Sequence, residues 1–154
     1  RLPDRVAAPA LGHAYRSALG RHTCTVAFVG QKATYKTSIA AKVMNHWGEA
    51  WGLTRYGSSM SGQGDTDNAV RFKLHHARDT LYFFDDFAPT DSWSTAQRRL
   101  EVMARLVYNQ EARDRLGRDG RSVTAGQPPR AAAIMTSEVM PRAGSGADRL
   151  LALR

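Results

Sequence analysis

Three short apolar runs, Cys24–Val29, Thr80–Phe84 and Ala131–Met135, interrupt a chain whose other apolar residues recur mostly at helical spacing. Runs of this length without polar interruption suit parallel strands buried on both faces. Ile39, Val43, Met44 and Trp47 follow the first run and predict a helix from Lys36 to about Trp47. Trp93, Ala96, Leu100, Met103 and Val107 predict another, capped by Thr90 or Asp91, with the arginines at 98, 99 and 105 off its stripe. Between these lies a helix capped by Asp65 or Thr66 and running to about Ala77, with Ala69, Phe72 and His76 on one face. Strands alternating with helices predict an α/β fold, a parallel sheet with helices on both faces.

The remaining stretches are less regular. Residues 1–22 hold Pro3, Pro9 and Gly12 and read as an N-terminal arm ending in a short helix around His13–Leu19, ahead of a core spanning 23–154. Leu53–Tyr56 is a candidate short strand, and Gly57–Gly64 is a Gly/Ser-rich loop. Residues 112–129 read as loops, broken by Gly117, Gly120 and Gly126 and stopped by Pro128-Pro129. There are no internal repeats.

The first strand runs into Gly30-Gln-Lys-Ala33-Thr34-Tyr35-Lys36-Thr37-Ser38, which then opens a helix. In a phosphate-binding loop of this kind, backbone N–H groups curl around the phosphates, a Lys reaches the same oxygens and a Ser or Thr hydroxyl ligates Mg²⁺. Lys36 and Thr37 suit those roles, and Tyr35 stands where the usual pattern G-x-x-x-x-G-K-[ST] has its second glycine. In parallel sheets the chemistry collects at the carboxyl ends of the strands. Lys36, Asp85, Asp86 and Thr136 all emerge there. Asp85 is the candidate for the Mg²⁺ shell, Asp86 for polarising an attacking water and Thr136 for contacting phosphate or water. Taken singly, Asp-Asp after a strand is also a turn or a helix cap, and a strand-end Thr is more often a turn former.

A chain of 154 residues with 42% hydrophobic content has the size of one domain with a real core. No apolar run approaches the roughly 20 residues needed to span a bilayer, and the N-terminus lacks a secretion signature, so a cytoplasmic protein without membrane partners is expected. Cys24, the single cysteine, excludes an internal disulfide and is expected in the core at the start of the first strand. The pair His75-His76 has no accompanying ligand spacing for zinc. A formal net charge of +8, with Arg98, Arg99, Arg105, Arg113, Arg115, Arg118 and Arg121 in one stretch, points to a polyanionic partner, DNA first.

Gly30-x-x-Ala33-x-Tyr-Lys-Thr37, Thr66-Asp-Asn68-Ala, Leu81-Tyr-Phe-Phe-Asp-Asp-Phe-Ala-Pro89, Pro128-Pro-Arg130, Thr136-Ser-Glu138 and Asp148-Arg149-Leu-Leu together resemble the ATPase core of primase-helicase-type proteins. These proteins occur in phages and mobile elements and belong to the wider AAA+ and superfamily 3 group. The resemblance covers residues 23–152 and implies a three-layer P-loop NTPase core that hydrolyses ATP with Mg²⁺. It implies Gly30, Ala33, Thr34, Tyr35, Lys36, Thr37 and Ser38 as the nucleotide loop, Thr37 and Asp85 at the metal and Asp86 at the water. It further implies Thr136 as a sensor and Arg149 as an arginine finger into a neighbouring subunit's site. Asn68, Asn109, Arg113, Arg115 and Arg130 match the pattern with a general role at the nucleotide or the subunit interface. Members act as rings, commonly hexamers, that move along DNA, here expected to be single-stranded. Larger members carry further domains, so this sequence reads as part of a longer protein. Ala33 replaces a family glycine, which bears on the tightness of the loop.

Three readings follow: an ATP-driven DNA motor, a nucleotide-dependent assembly switch with poor hydrolysis, and a basic DNA-binding module with a decayed nucleotide site. A small-molecule kinase fits less well, for want of an acceptor-binding segment or lid.

Overall fold

A computed structural model describes residues 2–20, 23–49, 65–87, 92–140, 144 and 146–154, with backbone alone at 86 and 87. The candidate strand at 53–56, the loop at 57–64 and the candidate caps Thr90 and Asp91 lie outside the described residues. Four strands, β1 (Thr25–Val29), β2 (Leu81–Phe87), β5 (Ala132–Ser137) and β6 (Leu150–Leu153), form one parallel sheet in the order β2-β5-β1-β6. A separate two-stranded antiparallel ladder pairs β3 (Arg115–Leu116) with β4 (Val123–Thr124).

Side chains alternate across the sheet, and each set meets helices. On one face Val26, Phe28, Leu81, Phe83 and Ile134 pack against Val6, Ala10 and Ala14 of α1 (Asp4–Ser17) and Val43 and Met44 of α2 (Lys36–Met44). On the other, Ala27, Val29, Tyr82, Phe84 and Met135 meet Val70 and Leu74 of α3 (Asp67–His76) and Leu100, Met103, Leu106 and Val107 of α4 (Trp93–Asn109). The result is a three-layer α/β/α fold. Because both faces are covered, every residue of β1 and β5 is buried, which is why these strands read as unbroken apolar runs.

Several local expectations are corrected. The N-terminal helix begins at Asp4, nine positions before His13, and runs through Pro9 and Gly12. Its buried stripe of Val6, Ala10, His13, Ala14 and Ser17 is helical in period but built from small residues, so it carries little hydrophobic signal. His13 pins it to the sheet, its Nε2 lying 2.9 Å from the carbonyl of Ala133. In α3, Thr66 caps by accepting from the amide of Ala69 at 3.3 Å, yet the face turned inward is Val70 and Leu74. Phe72 instead stacks on His76 outside, with ring centroids 4.0 Å apart. Helix α4 is capped by Ser92, and Trp93, expected on its core stripe, is 60% exposed. Strand β6 was not anticipated, because Leu150-Leu-Ala-Leu153 is short and its partner, β1, is 121 or more positions away in the chain. Cys24 stops just short of β1 and is half-buried, and burial pushes its thiol pKa up.

The segment 112–129 holds the β3–β4 ladder rather than loops alone. Its turn is tied by Asp119, which accepts from the amides of Ser122 and Arg121 at 3.0 Å and from the Ser122 hydroxyl at 2.8 Å. These bonds hold its carboxyl down to about 2. Their contribution is therefore complete at neutral pH and lost as pH falls through that value. At the base, Gly126 lies so close to Arg113 that a Cβ would stand 2.5 Å from its backbone nitrogen. Gly126→Ala is expected to destabilise by about 1–3 kcal/mol through overpacking. At roughly 2–4 °C per kcal/mol for a chain of this size, thermal unfolding will register the shift.

Candidate functional site

The carboxyl ends of β1, β5 and β2 lie side by side, with Phe28 opposite Thr136 and Phe84 opposite Met135. The residues that follow these positions therefore converge above one edge of the sheet. Between Phe84 and Phe87 the pairing of β2 with β5 shifts register, and Asp85 sits in that irregularity. Bulges of this kind re-aim side chains next to active sites. Asp85 Oδ1 accepts from the hydroxyl of Thr136 at 2.7 Å and from the hydroxyl of Thr37 at 2.9 Å. Three residues separated by 48 and 51 positions in the chain thus meet at one carboxylate oxygen.

The loop between β1 and α2 is anchored by the Gly30 amide, which donates to the carbonyl of Ser137 at 3.1 Å. Ala33 and Tyr35 both take left-handed backbone, with φ of 63° and 60°. Left-handed residues alternating with right-handed ones turn successive N–H groups toward one concavity, the geometry of an anion nest. Glycine takes this conformation freely, whereas other residues pay for it, at about 1–3 kcal/mol each when strained. Tyr35 stands where the usual loop pattern has its second glycine, and Ala33 where the resembled family has one. Tyr35 is 77% exposed and its ring joins no core cluster, so its conformation serves the loop rather than packing. Lys36 lies across the loop, its Nζ donating to the carbonyl of Gln31 at 2.6 Å and reaching Thr34 Oγ1 at 3.5 Å. Thr34 donates to the same carbonyl at 2.8 Å. Ser38 follows on α2, half-buried.

The donor set fits a hard divalent cation. Thr37 Oγ1 and Asp85 Oδ1 are both oxygens, and their 2.9 Å separation matches adjacent ligands of an octahedral Mg²⁺ shell with bonds of about 2.1 Å. The loop suits a triphosphate by the same chemistry: a lysine ammonium and a turn with two left-handed residues stand next to that oxygen pair.

Lys36, Thr37, Asp85 and Thr136 are therefore brought together, while the side chain of Asp86 lies outside the described residues. Arg149 is placed elsewhere. It ends a turn, Ala147–Arg149, that enters β6, where Leu150 pairs with Thr25 at the start of β1. The loop leaves β1 after Val29, four residues further on, or about 13 Å along a strand. Arg149 thus stands at the opposite end of the sheet from Lys36. Its Cζ lies 5.1 Å from the centroid of the Tyr108 ring, a contact the sequence did not suggest.

A second feature lies beside the β3–β4 ladder. Asn68, Arg71, Phe72, Arg113, Arg115 and Gln127 line an open cleft of about 530 Å³. Burial, and then the neighbouring charge of Arg113, push the Arg71 pKa below its ordinary value. Arg71 and Phe72 were not assigned to a site from sequence, since no local motif marks them.

No family model and no curated protein matches the chain. Among solved structures, the crystal structure of JC virus helicase bound to a thiazolopyridinyl-phenoxyphenyl acetamide matches it with a TM-score of 0.54 at 15% identity. The match covers 98% of this chain. The two share a fold over that length. This chain spans 40% of the JC virus helicase chain. Among the described residues no helix is long and apolar enough to cross a membrane.

Proposed function

We propose that the chain is the ATP-hydrolysing core of a DNA motor, a ring-forming replicative helicase of a phage or mobile element. The observation that carries this reading is the convergence of Thr37 and Thr136 on Asp85 Oδ1 beside the Lys36 loop. Lys36 and the amides of residues 30–37 would hold the phosphates, and Thr37 and Asp85 would hold Mg²⁺. The metal, when bound, neutralises charge developing on the transferred phosphoryl group. Thr136, tied to Asp85, would report on the γ-phosphate, and Asp86 would orient water. Arg149, at the far end of its own sheet, serves a neighbouring subunit, so the active form is a homo-oligomer, in this reading a hexameric ring. Single-stranded DNA is the polyanion matched to the net charge of +8 and to the arginine-lined cleft.

A second reading rests on Ala33 and Tyr35. Left-handed non-glycine residues at both positions favour a loop that binds nucleotide to switch assembly and hydrolyses it poorly, instead of driving a motor. Phosphate release from ATP and Mg²⁺, with and without single-stranded DNA, separates the two when native chain and Asp86→Asn are run together. The motor reading expects DNA-stimulated release, lost about a hundredfold or more in the variant. Tight nucleotide binding with no release, with or without DNA, favours the switch.

A further inference from the structure

The turn that carries Arg149 is fastened to α4 at two points. Gly146 lies against Glu101 so closely that a Cβ there would stand 2.7 Å from the Glu101 Cγ. Three residues on, Arg149 stacks over Tyr108, and its Nε is shut away from solvent. Glu101 and Tyr108 are seven positions apart, two helical turns, and therefore lie on one side of α4. Tyr108 is 42% exposed and belongs to neither core cluster, whose α4 members include Leu100, Met103, Leu106 and Val107. It meets the arginine, and the layer of α4 facing the sheet is built from those other residues.

An arginine side chain is long and has many rotamers, and ordering it when a phosphate arrives weakens its effect on the transition state. A guanidinium already held over a ring, at the end of a turn packed closely on the helix, is ordered in advance. We propose that Tyr108 is a positioning residue for Arg149, holding the guanidinium in the orientation it presents to the nucleotide site of a second copy of this chain. This inference rests on the reading of Arg149 as a finger acting between subunits. It adds a residue that touches neither nucleotide nor metal.

The test compares Tyr108→Leu, Tyr108→Phe, Arg149→Ala and the double variant Tyr108→Leu/Arg149→Ala in the full chain, reading kcat and KM for ATP with single-stranded DNA and oligomeric state by sedimentation. Tyr108→Leu is expected to lower kcat about five- to tenfold, the scale of a lost cation–π contact, with KM and sedimentation unchanged. Tyr108→Phe, which keeps the ring, should stay within about twofold of native. In the Arg149→Ala background the leucine should cost nothing further, because the two act as one unit. Native kcat for Tyr108→Leu beside a large loss for Arg149→Ala overturns the positioning role and leaves the finger standing. An equal loss with and without Arg149 also overturns it. Native kcat for Arg149→Ala overturns the finger itself. If Tyr108→Leu does not fold, Tyr108→Gln, polar at a partly exposed position, carries the same comparison.

Discussion

Lys36→Ala is expected to lower ATP hydrolysis about a hundred- to a thousandfold, the loss typical of removing one preorganised charge from a phosphoryl-transfer site. The Lys36 ammonium lies 2.6 Å from the Gln31 carbonyl, within the loop that holds the left-handed residues 33 and 35. On binding, it exchanges that carbonyl for phosphate oxygens, a bond between full charges in place of one to a dipole. Its side chain is absent from both core clusters, so the variant should unfold at the native temperature. Phosphate release, nucleotide binding and thermal unfolding measured together separate a lost site from a lost fold. Native turnover in this variant would remove the loop from the function altogether.

Arg149→Ala is expected to cost about a thousandfold in kcat while leaving nucleotide affinity near native, the loss that removing an arginine finger brings. The reason is position. Leu150 pairs with Thr25, so the arginine enters the sheet at the end away from the phosphate loop of its own subunit. Mixing makes the prediction sharper. Lys36→Ala subunits keep a working arginine, and Arg149→Ala subunits keep a working loop, so mixed assemblies should recover part of the activity that neither has alone. Absence of recovery in assemblies shown to contain both chains would argue against action between subunits. The outcome also decides whether Tyr108 has anything to position.

Much of the candidate site could be read from single segments. The loop from Gly30 to Ser38 follows an apolar strand and opens a helix, and both neighbours are strong local signals. Asp85 and Thr136 ended apolar runs, which placed them at strand ends before any pairing was known. What no segment carried was the meeting of Thr37, Asp85 and Thr136 on one oxygen. That depends on β5 lying between β1 and β2 and on the register shift at Phe84–Phe87, both products of long-range pairing. The Arg149–Tyr108 contact was equally invisible, since it joins a turn to a helix 41 positions earlier without a motif at either end.

The misjudged elements share a cause. Helix α1 hides its buried stripe in alanines, α3 turns its largest apolar side chain outward, and β6 is too short to stand out. In each case burial was decided by the neighbour and not by the residue's own hydrophobicity. The sequence by itself determined the layered α/β class and the candidate phosphate loop, because strand runs, helix period and loop chemistry are local properties of the chain. Only the tertiary structure decided strand order, the face each helix buries, the shared oxygen of Asp85 and the end of the sheet at which Arg149 lies. Those depend on contacts between segments far apart in sequence, whose free energy appears only when the whole sheet assembles.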